Sequence, residues 1–140
     1  LELAKELNVE LGDRVSTLDL REAVLKLRSN KGMLISSGYK TAGSFFTNPI
    51  LPISFKGQLP AQTPTWEVTE GLKVSAAWLI ENSGFSKGYR KGNVGISPKH
   101  VLALINYEGG SSELNALANE IQKAVKDKFK VELTREVFEL

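Results

Sequence analysis

SELNALANEIQKAVKDKF, residues 112–129, is the stretch on which the fold reading turns. Leu114, Leu117, Ala118, Ile121, Ala124, Val125 and Phe129 recur at intervals of three and four, the single apolar stripe of an amphipathic helix. Ser111 or Ser112 offers a hydroxyl to the unpaired N–H groups of its first turn. Upstream, Gly109-Gly110 bounds the apolar run Val101 to Tyr107, which reads as a strand, as does Val94-Gly95-Ile96. Downstream, Val131, Leu133, Val137 and Phe138 predict a final strand.

Further towards the N-terminus, Lys73 to Asn82 contains Val74, Ala77, Trp78, Leu79 and Ile80, a short buried helix that Gly84 ends. Residues 50–71, with Pro49 just before them, carry Pro52, Pro60 and Pro64 and read as a long surface excursion, a lid or an insertion. Gly43-Ser44-Phe45-Phe46 predicts a short strand that Asn48-Pro49 stops. Residues 29–42, around Met33-Leu34-Ile35, read as a loop. Leu20, Val24 and Leu27 fall at helical spacing through Arg28, with Ser16 or Thr17 as cap and Asp19 at the positive end. Residues 1–8 look like the end of a helix, joined to it by a polar stretch containing Gly12. Helices and strands in this order predict one α+β domain, a small mixed sheet with helices packed on one face.

The 140 residues, 41% of them hydrophobic, suit one core rather than two. A net charge of +2 gives no ground for nucleic acid or a membrane surface as partner. With no cysteine and one histidine, disulfides, thiolate metal sites, a Cys nucleophile and a His-rich metal site are excluded. No apolar run approaches the length of a membrane span and no signal peptide is visible, so a cytoplasmic protein is expected. The chain starts at Leu1, inside a helical pattern with no capping residue ahead, and its one Met is Met33. The expectation is a fragment, in which residues 1–15 are the tail of a preceding region and a linker and residues 16–140 a domain.

Candidate chemistry gathers in a few places. In Ala42-Gly43-Ser44-Phe45-Phe46-Thr47-Asn48-Pro49, Gly43 admits close backbone approach to a ligand, while Ser44 and Asn48 supply neutral hydrogen-bonding groups. The same residues also fit a strand with a turn at each end. Arg28 and Lys31 suit a phosphate, Arg as a fork and Lys as a point charge, and equally suit a solvated helix end. His100, after Pro98-Lys99, is a ligand contact or a hydrogen-bonded structural residue. Glu136, in the stretch from Val131 to Phe138, is an acid in a half-buried strand or a solvated side chain. The glycine patterns of dinucleotide and P-loop sites are missing.

Four blocks together resemble the C-terminal domain of UDP-N-acetylenolpyruvoylglucosamine reductases. They are Arg28-Ser29-Asn30-Lys31-Gly32-Met33; the Ala42 to Pro49 segment; Lys73 to Glu81 with Gly84-Phe85 and Lys87-Gly88; and Leu133-Thr134-Arg135-Glu136-Val137. The resemblance runs from about Thr17 to Leu140. It implies an enzyme of peptidoglycan precursor synthesis in which NADPH reduces a bound FAD and UDP-GlcNAc-enolpyruvate is reduced to UDP-N-acetylmuramate. The flavin domain would be a separate part of the same protein, and this piece alone would be inactive. The resemblance makes Ser44 the proton donor and gives Glu136 a hydrogen bond to the substrate carboxylate, as a protonated acid or beside a cation. Lys31 and Asn48 would contact the diphosphate, and His100 would lie near the UDP-sugar where relatives often have Gln. Thr134-Arg135 stands where the family more usually has Glu-Pro or Val-Pro. The other reading is a stand-alone UDP-sugar or anion-binding module using Lys31, Asn48 and His100.

Overall fold

The structure, a computed structural model, describes residues 2–31 and 40–137. The elements in chain order are α1 (Glu2–Leu7), α2 (Thr17–Asn30), β1 (Ile50–Leu51), β2 (Thr65–Val68), β3 (Gly71–Val74), α3 (Ala76–Glu81), β4 (Arg90–Lys91), β5 (Val94–Ile96), β6 (Leu104–Asn106) and α4 (Ser111–Phe129). The α+β class stands. The strands divide into two three-stranded antiparallel sheets, ordered β1-β3-β2 and β4-β5-β6.

The helix at 111–129 organises the core. Leu117, Ala118, Ile121 and Val125 are buried on it, and the helix packs on β5, β6 and α3. These side chains meet Ile96, Leu104, Leu79 and Ile80 in one continuous core with Phe45, Phe46, Leu72 and Val74. Each large apolar side chain removed from water there contributes about 1.5–3 kcal/mol. Gly110 takes the N-cap position with no side-chain bond, so neither Ser111 nor Ser112 acts as the cap. At the start of α2 the cap is Ser16, whose Oγ accepts from the Asp19 N–H at 3.1 Å.

Three stretches depart from the sequence reading. Residues 50–71 are not one loose excursion: β1 and β2 flank β3 in the first sheet, with a 3-10 turn at Ile53–Gly57 between them. The prolines fall between these strands, where no ladder N–H is required. In 101–107 only Leu104–Asn106 is a strand. The preceding residues turn back on themselves through Ala103 N–H to His100 C=O at 3.1 Å. No strand is present over residues 131–137. Val131 and Leu133 are buried, yet Gln122 Nε2 caps the Leu133 carbonyl and only Arg135 makes a bridge, to Phe46. The expected loop around Met33 and the end of the last stretch at Phe138 lie outside the described residues.

The second sheet is widened by irregular chain. Lys40 and Asn106 exchange two backbone hydrogen bonds, Ser44 bridges Ala103, and Phe46 bridges Arg135. Residues 40–46 therefore run antiparallel beside β6, with the Thr134–Glu136 tail beyond them. α1 packs on α2, with ion pairs Lys26–Glu6 and Lys31–Glu2.

Candidate functional site

The Ser44–Phe46 segment sits between two other pieces of chain. On one side the Phe45 N–H donates to Leu102 C=O at 2.8 Å; on the other the Glu136 N–H donates to Phe45 C=O at 2.9 Å. Thr47 N–H adds a bond to Thr134 C=O at 3.0 Å. Regular strands alternate their side chains across the sheet, but here both Phe45 and Phe46 are buried, their rings edge-to-face at 5.3 Å. The two rings fix the segment in the core and leave Ser44 half-buried at its edge. Glu136 is exposed, its backbone one residue's reach from that of Ser44. The two residues that the resemblance assigns to chemistry are thus brought together along one backbone seam.

The turn between β5 and β6 supplies the next group. The Ser97 side chain is fully buried and its Oγ accepts from the Lys99 N–H at 3.2 Å. His100 Nδ1 accepts from the Leu102 N–H at 3.2 Å, so the hydrogen of the neutral ring belongs on Nε2. Burial holds the His100 pKa below its usual value, and the positive charges of Lys31 and Lys87 push it the same way. A neutral imidazole N–H facing cations is suited to donate to an anion that those cations hold.

The C-terminal end of α2 reaches the same place. Lys99 Nζ donates to Ser29 C=O at 3.1 Å, tying the 97–103 turn to the helix. Gly43 has φ +91°, a conformation open to glycine, and a Cβ placed there would meet Arg28 Nη2 at 3.7 Å. Arg28 thus lies beside Gly43, and Lys31 and Lys87 lie within electrostatic reach of His100. Lys31 is engaged by Glu2, whose carboxylate it holds below the usual range through a hydrogen bond and its charge.

Asn48 has another partner. Its Oδ1 accepts from the Ala76 N–H at 2.9 Å at the start of α3, beside the Ser75 Oγ that accepts from Trp78 N–H at 3.3 Å. Two side chains thus cap a six-residue helix. Sequence reading missed Arg135, whose guanidinium is bonded to Asn115, Asn119 and Gln122 of α4. The three amides stand at helical spacing beside the apolar stripe, but nothing in the residues pairs them with Arg135, 13 to 20 positions away. Among the described residues no cluster of His, Asp or Glu is placed to hold a metal, and no helix is long and apolar enough to cross a membrane.

Comparison with known proteins bears on the family. The sequence pattern of the family described as UDP-N-acetylenolpyruvoylglucosamine reductase, C-terminal domain, matches residues 35–139. A UDP-N-acetylenolpyruvoylglucosamine reductase of Thermobifida fusca is 43% identical over 150 residues, covering 96% of this chain and 42% of that protein. One of Streptomyces coelicolor is 45% identical, covering 96% of this chain and 39% of its own length. One of Salinispora arenicola is 43% identical, covering 94% and 40%. The chain spans about two fifths of the length of these relatives. With the match extending over the seam that joins Ser44 to Glu136, the chain belongs to the family of UDP-N-acetylenolpyruvoylglucosamine reductase C-terminal domains.

Proposed function

We propose that this chain is the substrate-binding and proton-donating part of an FAD-dependent reductase that converts UDP-GlcNAc-enolpyruvate to UDP-N-acetylmuramate with NADPH, in peptidoglycan precursor synthesis. In this reading residues 16–140 form the UDP-sugar-binding domain, residues 1–15 lead into it from the flavin-binding region, and the protein works in the cytoplasm. The observation that supports it is the seam itself: the Phe45 backbone is bonded to Leu102 on one side and to Glu136 on the other, which brings the chain at Ser44, the turn after His100 and Glu136 next to one another.

The donor set fits an anionic nucleotide-sugar. In this reading the cations and the imidazole serve the anionic end of the ligand, and the Ser44 hydroxyl and the Glu136 carboxyl its reacting end. The flavin's place in this reading is the other domain of the same protein. When bound, the flavin supplies the hydride. Lys31, with Arg28 and His100, holds the diphosphate and the sugar; the Asn48 amide nitrogen donates to the diphosphate while its Oδ1 caps α3. Glu136, in its protonated form or beside a cation, hydrogen-bonds the substrate carboxylate, next to the carbon on which negative charge develops. Ser44 gives its Oγ proton to that carbon. A hydroxyl is a weak acid, and it serves because the acceptor is a strong base held in contact with it.

Replacing Ser44 with Ala in the whole reductase tests the reading. NADPH should still reduce the flavin at the parental rate, while reoxidation by UDP-GlcNAc-enolpyruvate collapses. Unchanged reoxidation would favour the second reading, a UDP-sugar-binding module without catalysis, which the cation cluster around His100 supports in its own right.

A further inference from the structure

Arg135 is bound by three neutral side chains. Its Nε donates to Gln122 Oε1 at 3.2 Å, its Nη1 to Asn115 Oδ1 at 3.0 Å and its Nη2 to Asn119 Oδ1 at 2.6 Å. Positions 115, 119 and 122 share one face of α4. Gln122 also donates through Nε2 to Leu133 C=O at 2.7 Å, so the same face grips the tail twice. The guanidinium carbon lies 5.8 Å from the centre of the Phe45 ring. On the backbone, Arg135 bridges Phe46 and the next residue, Glu136, donates to Phe45 C=O.

This is a clamp rather than a surface ion pair. The ion pairs among the described residues are each a lysine on a single carboxylate. A planar fork with three acceptors fixes both the direction and the rotation of the residue that carries it. A tail with no strand ladder of its own needs such a fixture if its carboxylate is to meet a substrate atom reproducibly. We propose that Arg135 is a positioning residue for Glu136. Its guanidinium, set by Asn115, Asn119 and Gln122, locks the Leu133–Glu136 turn against Phe45 and so aims the Glu136 carboxyl at the substrate. This rests on the role given to Glu136 above.

The test uses the whole reductase with Arg135→Ala, Arg135→Lys, the pair Asn119→Ala/Gln122→Ala, and Glu136→Gln, each also combined with Arg135→Ala where it retains Arg135. Rapid mixing measures flavin reduction by NADPH and reoxidation by UDP-GlcNAc-enolpyruvate separately. Misplacing a reacting group by about an ångström costs up to about a hundredfold. Reoxidation is therefore expected to fall at least about tenfold in the Arg135 variants and in the α4 pair, with reduction unchanged. Lys, a point charge without the fork, should not restore it. Arg135→Ala should add little to Glu136→Gln, because both act through one carboxyl. Reoxidation near the parental rate in Arg135→Ala overturns the inference, as does recovery in Arg135→Lys or an equal loss in the reduction step. Should Glu136→Gln itself reoxidise normally, the role of Glu136 fails and the inference with it. Should Glu136→Gln collapse while the Arg135 variants do not, only the positioning inference fails.

Discussion

Asn48 caps α3 and is proposed to contact the diphosphate, and two substitutions separate the two roles. Its Oδ1 accepts from the Ala76 N–H at 2.9 Å, so Asn48→Ala leaves a donor of the first turn of α3 unpaired in a half-buried place. Loss of a helix-capping acceptor costs about 1 kcal/mol. An unfolding entropy of about 2.1 cal/mol/K per residue, taken over 140 residues, is about 0.3 kcal/mol/K, so the melting temperature should drop by about 3 °C. Asn48→Asp keeps the acceptor and puts negative charge at the positive end of a helix, so its melting temperature should hold or rise. The same variant removes the amide donor and repels a diphosphate, and its affinity for UDP should fall about tenfold, or about 1.4 kcal/mol. Scanning calorimetry reads the first effect and titration calorimetry the second. A parental melting temperature in Asn48→Ala refutes the capping role. Parental UDP affinity in Asn48→Asp refutes the diphosphate contact.

Two further outcomes follow from burial and charge. The fold lowers the His100 pKa, chiefly by burial and then through Lys31 and Lys87, so the unfolded chain takes up a proton near pH 6.5 that the folded chain refuses. Stability is thus full above pH 6.5 and falls as the pH drops through that value towards the lowered one. Urea midpoints measured from roughly pH 8 to 5 should show this decline, and His100→Gln should flatten it; equal slopes in parent and variant would contradict the assignment. Phe46, 1% exposed and edge-on to Phe45, should cost about 3–5 kcal/mol when replaced by Ala, read from urea unfolding, and a loss under about 1 kcal/mol would contradict its place in the core.

Much of this was legible in the sequence where one physical signal dominates. The stripe from Leu114 to Phe129 set α4, and the pattern of Leu20, Val24 and Leu27 after Ser16 set α2, because a 3.6-residue period survives in any tertiary context. Leu20 and Val24 are nonetheless exposed on α2, so periodicity located the helix without saying what lies against it. The strands were harder. Ile50–Leu51 is two residues long and is a strand only because β3 pairs with it, Ile50 on Lys73 and Leu51 on Leu72, a partner that no local pattern reveals. Val131 and Leu133 alternate as a strand would, but Gln122 takes the Leu133 carbonyl from any ladder. Of the site candidates, Ser44, Lys31, Asn48 and Glu136 come from the motifs that carry the resemblance, and His100 from its place where relatives often have Gln. The backbone adjacency of Glu136 and Phe45 spans ninety-one positions and was not readable from the residues. Nor was the clamp on Arg135, whose acceptors on α4 stand 13 to 20 positions before it.

The central claim is that Ser44, His100 and Glu136 face one bound molecule. Titrating UDP-GlcNAc-enolpyruvate into the amide-labelled whole reductase puts this to the test by magnetic resonance. The signals of Gly43 to Phe46, His100 to Leu102 and Arg135-Glu136 should move together, with a single affinity. Movement confined to the cationic end, around Lys31 and His100, with Ser44 and Glu136 unshifted at saturation, would contradict it.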